Sequence, residues 1–334
     1  MNRKVKIYFL VVTLLTLGLL PVRLSMGEVS LTPFETLQTL LGMGSSKSEI
    51  VLFQFRLPRL VLGILIGMGL AVSGAILQGV SRNPLADPGI IGINAGASLV
   101  VVAYLYLSQG GLVVSGLGPT YALPFFAFLG AAVTAFVIYI IALKNGKVSP
   151  TRLILVGIGV SAGIGALLII LQMKMNPRAF SEAIIWLSGS IWGASWPMVM
   201  SVLPWILVLI PYAAYKARYL NLLNMGEAIA IGLGTKVEKE RRILLIVAVA
   251  LAGACVAVGG NIAFLGLLAP HLARHVVGPS YKTLIPASAI TGAALVMAAD
   301  LVAKNLLYPG EIPVGITLAA IGSPYFIYLL MKTR

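Results

Sequence analysis

His271 and His275 stand four residues apart. That spacing brings two imidazoles to one helical face, where they could hold a metal ion. No cysteine or carboxylate lies close to them in the sequence, and Arg274 sits between them, so no metal centre is expected. The nearest approach to a phosphate-binding loop is Gly42-Met-Gly-Ser-Ser-Lys47-Ser48, which lacks the glycine before the lysine. Ser73 and Ser161 lie in apolar runs and would need a buried histidine to become nucleophiles. Both histidines fall instead at the end of such a run. Cys255 is the single cysteine, so no disulfide forms within the chain. Asp300 is the best candidate for a carboxylate inside an apolar segment, and Lys304 one turn on is its expected ion-pair partner. An ion-coupled carrier normally needs more buried carboxylates than this. The sequence therefore offers neither a catalytic centre nor a cofactor site, and its near-lack of intramembrane charge implies that energy enters from elsewhere.

The elements that carry these residues are apolar. Of 334 residues, 59% are hydrophobic and 10% charged, against about 25% charged in an ordinary soluble domain. A soluble fold of this size could not hide so much apolar surface. Spanning helices are expected over residues 5–24, 57–80, 90–107, 119–143, 153–171, 197–215, 284–303 and 313–331. The first run follows Arg3, Lys4 and Lys6 as a signal peptide would. No small-x-small cleavage site follows it, so a retained helix is expected. Residues 243–272 would form a helix about 45 Å long, too long for a bilayer core of about 30 Å. Gly259, Gly260 and Asn261 interrupt the run, leaving one tilted helix or two crossings, the second of them short.

Charge decides the count. The net charge of +14 comes from Lys and Arg between the apolar runs and at the termini, where they read as topology signals rather than a nucleic-acid surface. With ten crossings and a cytoplasmic N-terminus, 17 Lys and Arg lie inside and 7 outside. With nine, the split is 14 to 10. The positive-inside rule selects ten, with both termini cytoplasmic.

Three connections stand out. Residues 28–55 lie outside. Residues 174–196, also outside, carry Trp186, Trp192 and Trp196 and read as a short interfacial helix or a gate. The inner loop 216–242 is the most charged stretch. In it Asn224 and Glu227 are spaced as a capping box, and Gly232 or Gly234 can end the helix they would start. A tight turn is expected at Arg82-Asn-Pro-Leu-Ala-Asp87-Pro. Small residues recur every four positions at Gly63, Gly67, Ala71 and Ala75, and again at Gly159 and Gly163. Such faces let helices pack closely and, on a pathway, leave room for cargo. Arg56 and Arg59 sit at an outer helix end against the charge bias, placed for headgroups or a partner.

Several of these stretches occur in the order of a known family. Phe55-Arg-Leu-Pro-Arg59, Ser73-Gly-Ala-Ile-Leu-Gln78, Arg82-Asn83-Pro84-Leu-Ala-Asp87-Pro88 and Gly92 to Gly96 come first. Gly226-Glu227 with Gly232, residues 260–274, Glu311-Ile-Pro-Val-Gly-Ile-Thr317 and Gly322-Ser-Pro-Tyr-Phe326 follow. From about residue 50 to its end the chain resembles the cobalamin/iron–siderophore ABC importer permeases. The resemblance implies an all-α polytopic membrane protein, ten transmembrane helices in a cobalamin-importer-like fold, forming one domain over residues 1–334. It implies a second permease subunit, identical or paralogous, two cytoplasmic ATPases, an extracytoplasmic siderophore-binding protein and a bacterial plasma membrane. ATP hydrolysis would belong to the partners. Gly226, Glu227, Ala228, Ala230, Gly232 and Gly234 would dock on the ATPase. Arg56, Arg59 and Lys304 would face the binding protein, with Lys304 where relatives can carry arginine. Gly159, Gly163, Trp186, Ser188 and Gly189 would line the gate and path. The implied cargo is a ferric siderophore, with cobalamin or haem as alternatives.

Overall fold

In a bilayer every backbone polar group must find its partner within the protein, which helices achieve along their own length. The computed structural model describes residues 3–25, 31–109, 119–307 and 310–332. In chain order they form α1 (Arg3–Ser25), α2 (Pro33–Leu40), α3 (Ser46–Glu49), a π-helical stretch (Ile50–Arg56), α4 (Leu57–Ser81), a 3₁₀ turn (Pro88–Ile91) and α5 (Ile93–Ser108). Next come α6 (Pro119–Ala142), a hairpin of β1 (Leu143–Lys144) and β2 (Lys147–Val148), α7 (Pro150–Met173), α8 (Pro177–Leu187), α9 (Trp196–Met225) and α10 (Glu227–Gly232). The chain finishes with α11 (Val237–Gly259), α12 (Leu265–Val277), α13 (Tyr281–Asn305) and α14 (Val314–Lys332). Among the described residues seven helices are long and apolar enough to cross a membrane, and α5 and α14 are shorter apolar helices. With α12 they give the ten crossings expected. The expected termini and the start of the outer connection at residue 28 lie outside the described residues.

The bundle is built around α4, which is buried almost all round by α13, α11, α9 and α12. Its small residues explain the fit. A Cβ on Gly67 would lie 2.5 Å from the Gly292 carbonyl oxygen, so the α4 and α13 backbones can meet only without one. The Gly63–Gly67 face is thus a packing face. Upstream, Pro58 has no N–H, and its ring would crowd the carbonyl four residues back. The π-helical stretch widens the helix just there, with the Leu57 N–H bonded to the Leu52 carbonyl.

The 243–272 run resolves into two helices. Gly260 and Phe264 both adopt positive φ, 68° and 65°, and break α11 from α12. At 13 residues α12 is about 20 Å long, so the irregular segment before it completes the crossing. The α6–α7 connection is a hairpin unforeseen in the sequence reading. Asn145 and Gly146 have φ of 52° and 74°, the pair of left-handed residues a two-residue turn needs.

Two expectations are corrected. The helix expected to end at residue 215 continues to Met225, because Leu220 and Leu223 are buried and Lys216 on its inner end pairs with Glu240 of α11 at 2.8 Å. Asn224 therefore sits inside α9, where its side chain donates to the Leu220 carbonyl. It does not cap α10, whose N-cap is Gly226 at φ 118°. A helix already running through Asn224 has no free N–H groups there to cap.

Candidate functional site

At one end of the bundle, α9 and α11 hold α10 between them. Ala230 is fully buried against them, so of the six residues expected to meet the ATPase it is the one that anchors the helix instead. The outer face of α10 is apolar and bare, with Ile229, Ile231 and Leu233 exposed beside Met225. Ala228 and Gly232 lie on the exposed surface, and a Cβ on Gly232 would meet nothing within 4 Å. Gly226 and Gly234 serve the turns on either side, the latter at φ 76°. Glu227 does not point away from the bundle. It faces Arg241 of α11, Oε2 to Nη2 3.4 Å. Arg241 also bonds Glu238 and donates to the carbonyl of Val148, 3.3 Å away at the end of β2. Of the charges in this loop, Glu227 and Arg241 tie α10 to α11, while Arg218, Lys236, Lys239 and Arg242 are exposed.

The second site is the junction at the α11–α12 break. Several of the motifs behind the family resemblance are scattered over the sequence and meet here. Asn94, at the start of α5, donates to Asn261 Oδ1 at 2.6 Å. Gln78 of α4 donates to the Gly266 carbonyl at 3.3 Å and accepts from Arg274, which also reaches Tyr281. Phe264 opens α12 without a side-chain cap. The turn residue Asp87 fills that role from across the bundle. Its carboxylate accepts the N–H of Gly89 at 2.8 Å and that of Leu267 in the first turn of α12. Burial pushes the Asp87 carboxyl up to about 6, against these two donors, which favour its charged form. Arg82, at φ 52°, ends α4, and Asn83 Oδ1 accepts from the Leu85 N–H at 2.9 Å. Pro84 follows and is exposed. The expected ordered turn is present, and it re-enters the bundle.

The residues expected to line the gate and path divide. Gly159 and Gly163 lie on the bare face of α7, with no atom within 4 Å of a Cβ built on either. Trp186, Ser188 and Gly189 are instead packed. The Gly189 carbonyl accepts from Gly315 N–H at 2.8 Å, and a Cβ on Gly189 would lie 2.8 Å from the Asn261 carbonyl. The end of α8 is thereby fastened both to the helix break and to the start of α14. Trp192 is exposed, whereas Trp196 donates its indole N–H to the Phe53 carbonyl at 2.7 Å.

The basic residues expected to face the binding protein have partners within the chain. Arg56 is buried and donates to the Leu24 carbonyl of α1. Arg59 turns inward, with 2.8 Å ion pairs to both Asp300 and Glu311. Asp300, 1% exposed, also pairs with Arg23 of α1. Its partners are therefore these two arginines rather than Lys304. A carboxylate taken so far out of water needs bidentate, charge-assisted partners, which arginine supplies better than lysine. Lys304 stays half-buried at the end of α13. Arg23, Arg241 and the Asn94–Asn261 pair were not singled out by sequence reasoning. For Arg241 the clue was its carboxylate three residues earlier. For Arg23 there was none, since its partner is 277 residues away in the chain.

The His271 and His275 rings meet Nε2 to Nε2 at 2.9 Å, and no cluster of three metal-ligating residues occurs among the described residues.

Comparison with known proteins places this arrangement. The FecCD transport family profile matches residues 12–332. The chain is 55% identical to the iron(3+)-hydroxamate import system permease protein FhuG of Bacillus subtilis (strain 168), over 94% of this chain and 93% of that one. It is 42% identical to the iron-uptake system permease protein FeuC of the same organism, over 93% of each. Among solved structures, an inward-facing metal-chelate type ABC transporter matches with a TM-score of 0.85 and 30% identity, over 98% of this chain and 99% of that one.

Proposed function

The chain belongs to the FecCD transport family, and from that premise we propose that it carries a ferric siderophore of the hydroxamate class into the cytoplasm. It is the membrane permease of an ATP-binding-cassette importer, and ATP hydrolysis belongs to separate subunits. The proposed assembly has two ATPases below, a second permease, identical or paralogous, alongside, and a siderophore-binding protein delivering cargo from outside. The setting is the bacterial plasma membrane, with both termini cytoplasmic.

One observation carries the reading. The cytoplasmic end presents a short helix whose large exposed side chains are Ile229 and Ile231, with Met225 and Leu233 flanking it. Apolar side chains projecting into the cytoplasm are costly, and each is worth about 1.5–3 kcal/mol once buried. A groove in an ATPase subunit would bury them. Nucleotide binding there shifts the pair of permeases between packings that each nucleotide state favours. The bare face of α7, with Gly159 and Gly163, lines the path or meets the second permease, and the α8 end with Trp186, Ser188 and Gly189 forms the gate. Of the three basic residues expected to face the binding protein, Lys304 is the one retained in that role.

Uptake of radiolabelled iron chelates by cells with and without this chain tests the cargo. Loss of ferric hydroxamate uptake alone is the expected result, and unchanged uptake of every iron chelate sinks it. Transport by the purified chain in liposomes lacking ATPase subunits would overturn the importer reading itself.

A further inference from the structure

Arg241 occupies the first turns of α11, directly behind α10, with its side chain only 6% exposed. Its guanidinium touches three elements at once. One Nη faces Glu227 on α10 at 3.4 Å. The other bonds Glu238 on its own helix and donates to the Val148 carbonyl at 3.3 Å. Val148 ends β2, two residues before Pro150 opens α7. Arg241 is therefore the side chain through which α10 reaches the root of α7.

The neighbourhood makes that contact consequential. One residue earlier, Glu240 binds Lys216 of α9 at 2.8 Å, so the two helices that flank α10 are locked together at their bases. A push on α10 then cannot be absorbed by splaying α9 from α11. The helix α7 as a whole is lightly held, since along its length only Leu153, Gly157 and Ile164 are buried. Beside Arg241 lies a cavity of about 10 Å³, bordered also by Asp87, Pro150 and Leu153. It is about the size of one water, and the Nε of Arg241 has no hydrogen-bond partner among the described residues. The guanidinium thus has space on the side away from α10.

We propose that Arg241 is a positioning residue that transmits displacement of α10 to the path-lining helix α7 through the Val148 carbonyl. This rests on the reading of α10 as the ATPase-docking helix. A guanidinium suits the task because its planar fork of five donors can serve two carboxylates and a carbonyl together, whereas an ammonium is a point charge on a flexible stem. The Lys variant should therefore fail as the apolar one does.

The test uses the complete importer in liposomes, with ATPase subunits, companion permease and binding protein loaded with ferric hydroxamate. Co-purified ATPase, ATP hydrolysis and iron transported per ATP are read together. In R241M and R241K the ATPases should co-purify as in the wild type and hydrolyse ATP, while iron per ATP falls about tenfold. Combining R241M with E227Q should cause no further fall, because both cut the same link. An unchanged iron-per-ATP ratio in R241M overturns the proposal, and so does loss of bound ATPase, which would make Arg241 mere scaffolding. If R241M fails to fold, E227Q decides alone, and an unchanged ratio there has the same force. Failure of the wild-type assembly to transport would instead defeat the reading of the chain as this importer's permease.

Discussion

Gly232 is an exposed residue whose replacement costs the chain nothing in packing, since a Cβ there meets no atom within 4 Å. Any harm from a bulky side chain must then come from a partner. Gly232→Trp should insert and purify normally yet lose bound ATPase and at least about tenfold of uptake, equivalent to about 1.4 kcal/mol. Pull-down from membranes measures the first and labelled iron the second. Wild-type values for both would remove α10 from the interface. Asp300 is the opposite case. It pairs with Arg23 and Arg59 inside the bundle, so Asp300→Asn takes the carboxylate from the buried Arg23 and leaves Arg59 with Glu311 alone. The expected loss is about 3–5 kcal/mol, read as a lowered melting temperature in detergent, with no ATPase subunit needed. The sequence marked Asp300 as unusual but named the wrong partner. Lys304 is near in sequence, while Arg23 and Arg59 are near only after α1, α4 and α13 have packed.

Among the elements, the contact between the α4–α5 turn and α12 has its own pH signature. The Asp87 carboxyl is raised from 3.8 to about 6 by burial. A carboxyl raised in the folded state binds its proton more tightly there than when unfolded. Its protonated form is therefore the one folding favours. That contribution is complete below about pH 4 and is lost as pH rises through about 6. Lowering the pH from 7 to 5 should raise the melting temperature of the wild type more than that of Asp87→Asn, which keeps an acceptor oxygen but cannot titrate. Equal pH responses would show that Asp87 is not the titrating group. The turn was legible from its Asn-Pro and Asp-Pro steps, because turn chemistry is local. Its insertion against the first turn of α12 was not, since no local rule says which distant helix lacks a cap. The same limit explains Asn224. Its spacing from Glu227 satisfies the capping pattern, but burial of Leu220 and Leu223 carries α9 straight through it.

At the scale of the whole molecule, ten crossings fix which side each loop faces. In a chain with Cys255→Ala, Ser280→Cys should react with a membrane-impermeant maleimide only after permeabilisation, and Gly310→Cys should react in intact cells. Reversed labelling would return residues 243–272 to a single crossing. The bundle also leaves α7 mostly bare, with Leu155, Ile158, Leu167 and Ile170 exposed alongside Gly159 and Gly163. Lipid, a path or a second permease can cover that face. Crosslinking from Gly163→Cys would report a companion permease, and a cysteine on the equally exposed Leu14 of α1 is the lipid-facing control.

The number of crossings, the ordered turn and a short helix ending at Gly232 were legible in the amino-acid sequence. They rest on hydropathy, charge bias and glycine–proline chemistry, each of which acts within about one helix length of chain. Tertiary structure alone decided which charges pair. It buried Arg56, turned Arg59 onto Asp300 and Glu311, gave Asp300 to α1 and α4, seated Asp87 on α12 and set Arg241 between α10 and the foot of α7. The physical reason is that a buried charge or an open helix end takes whichever partner packing brings within about 3 Å, and packing joins residues without regard to their separation along the chain.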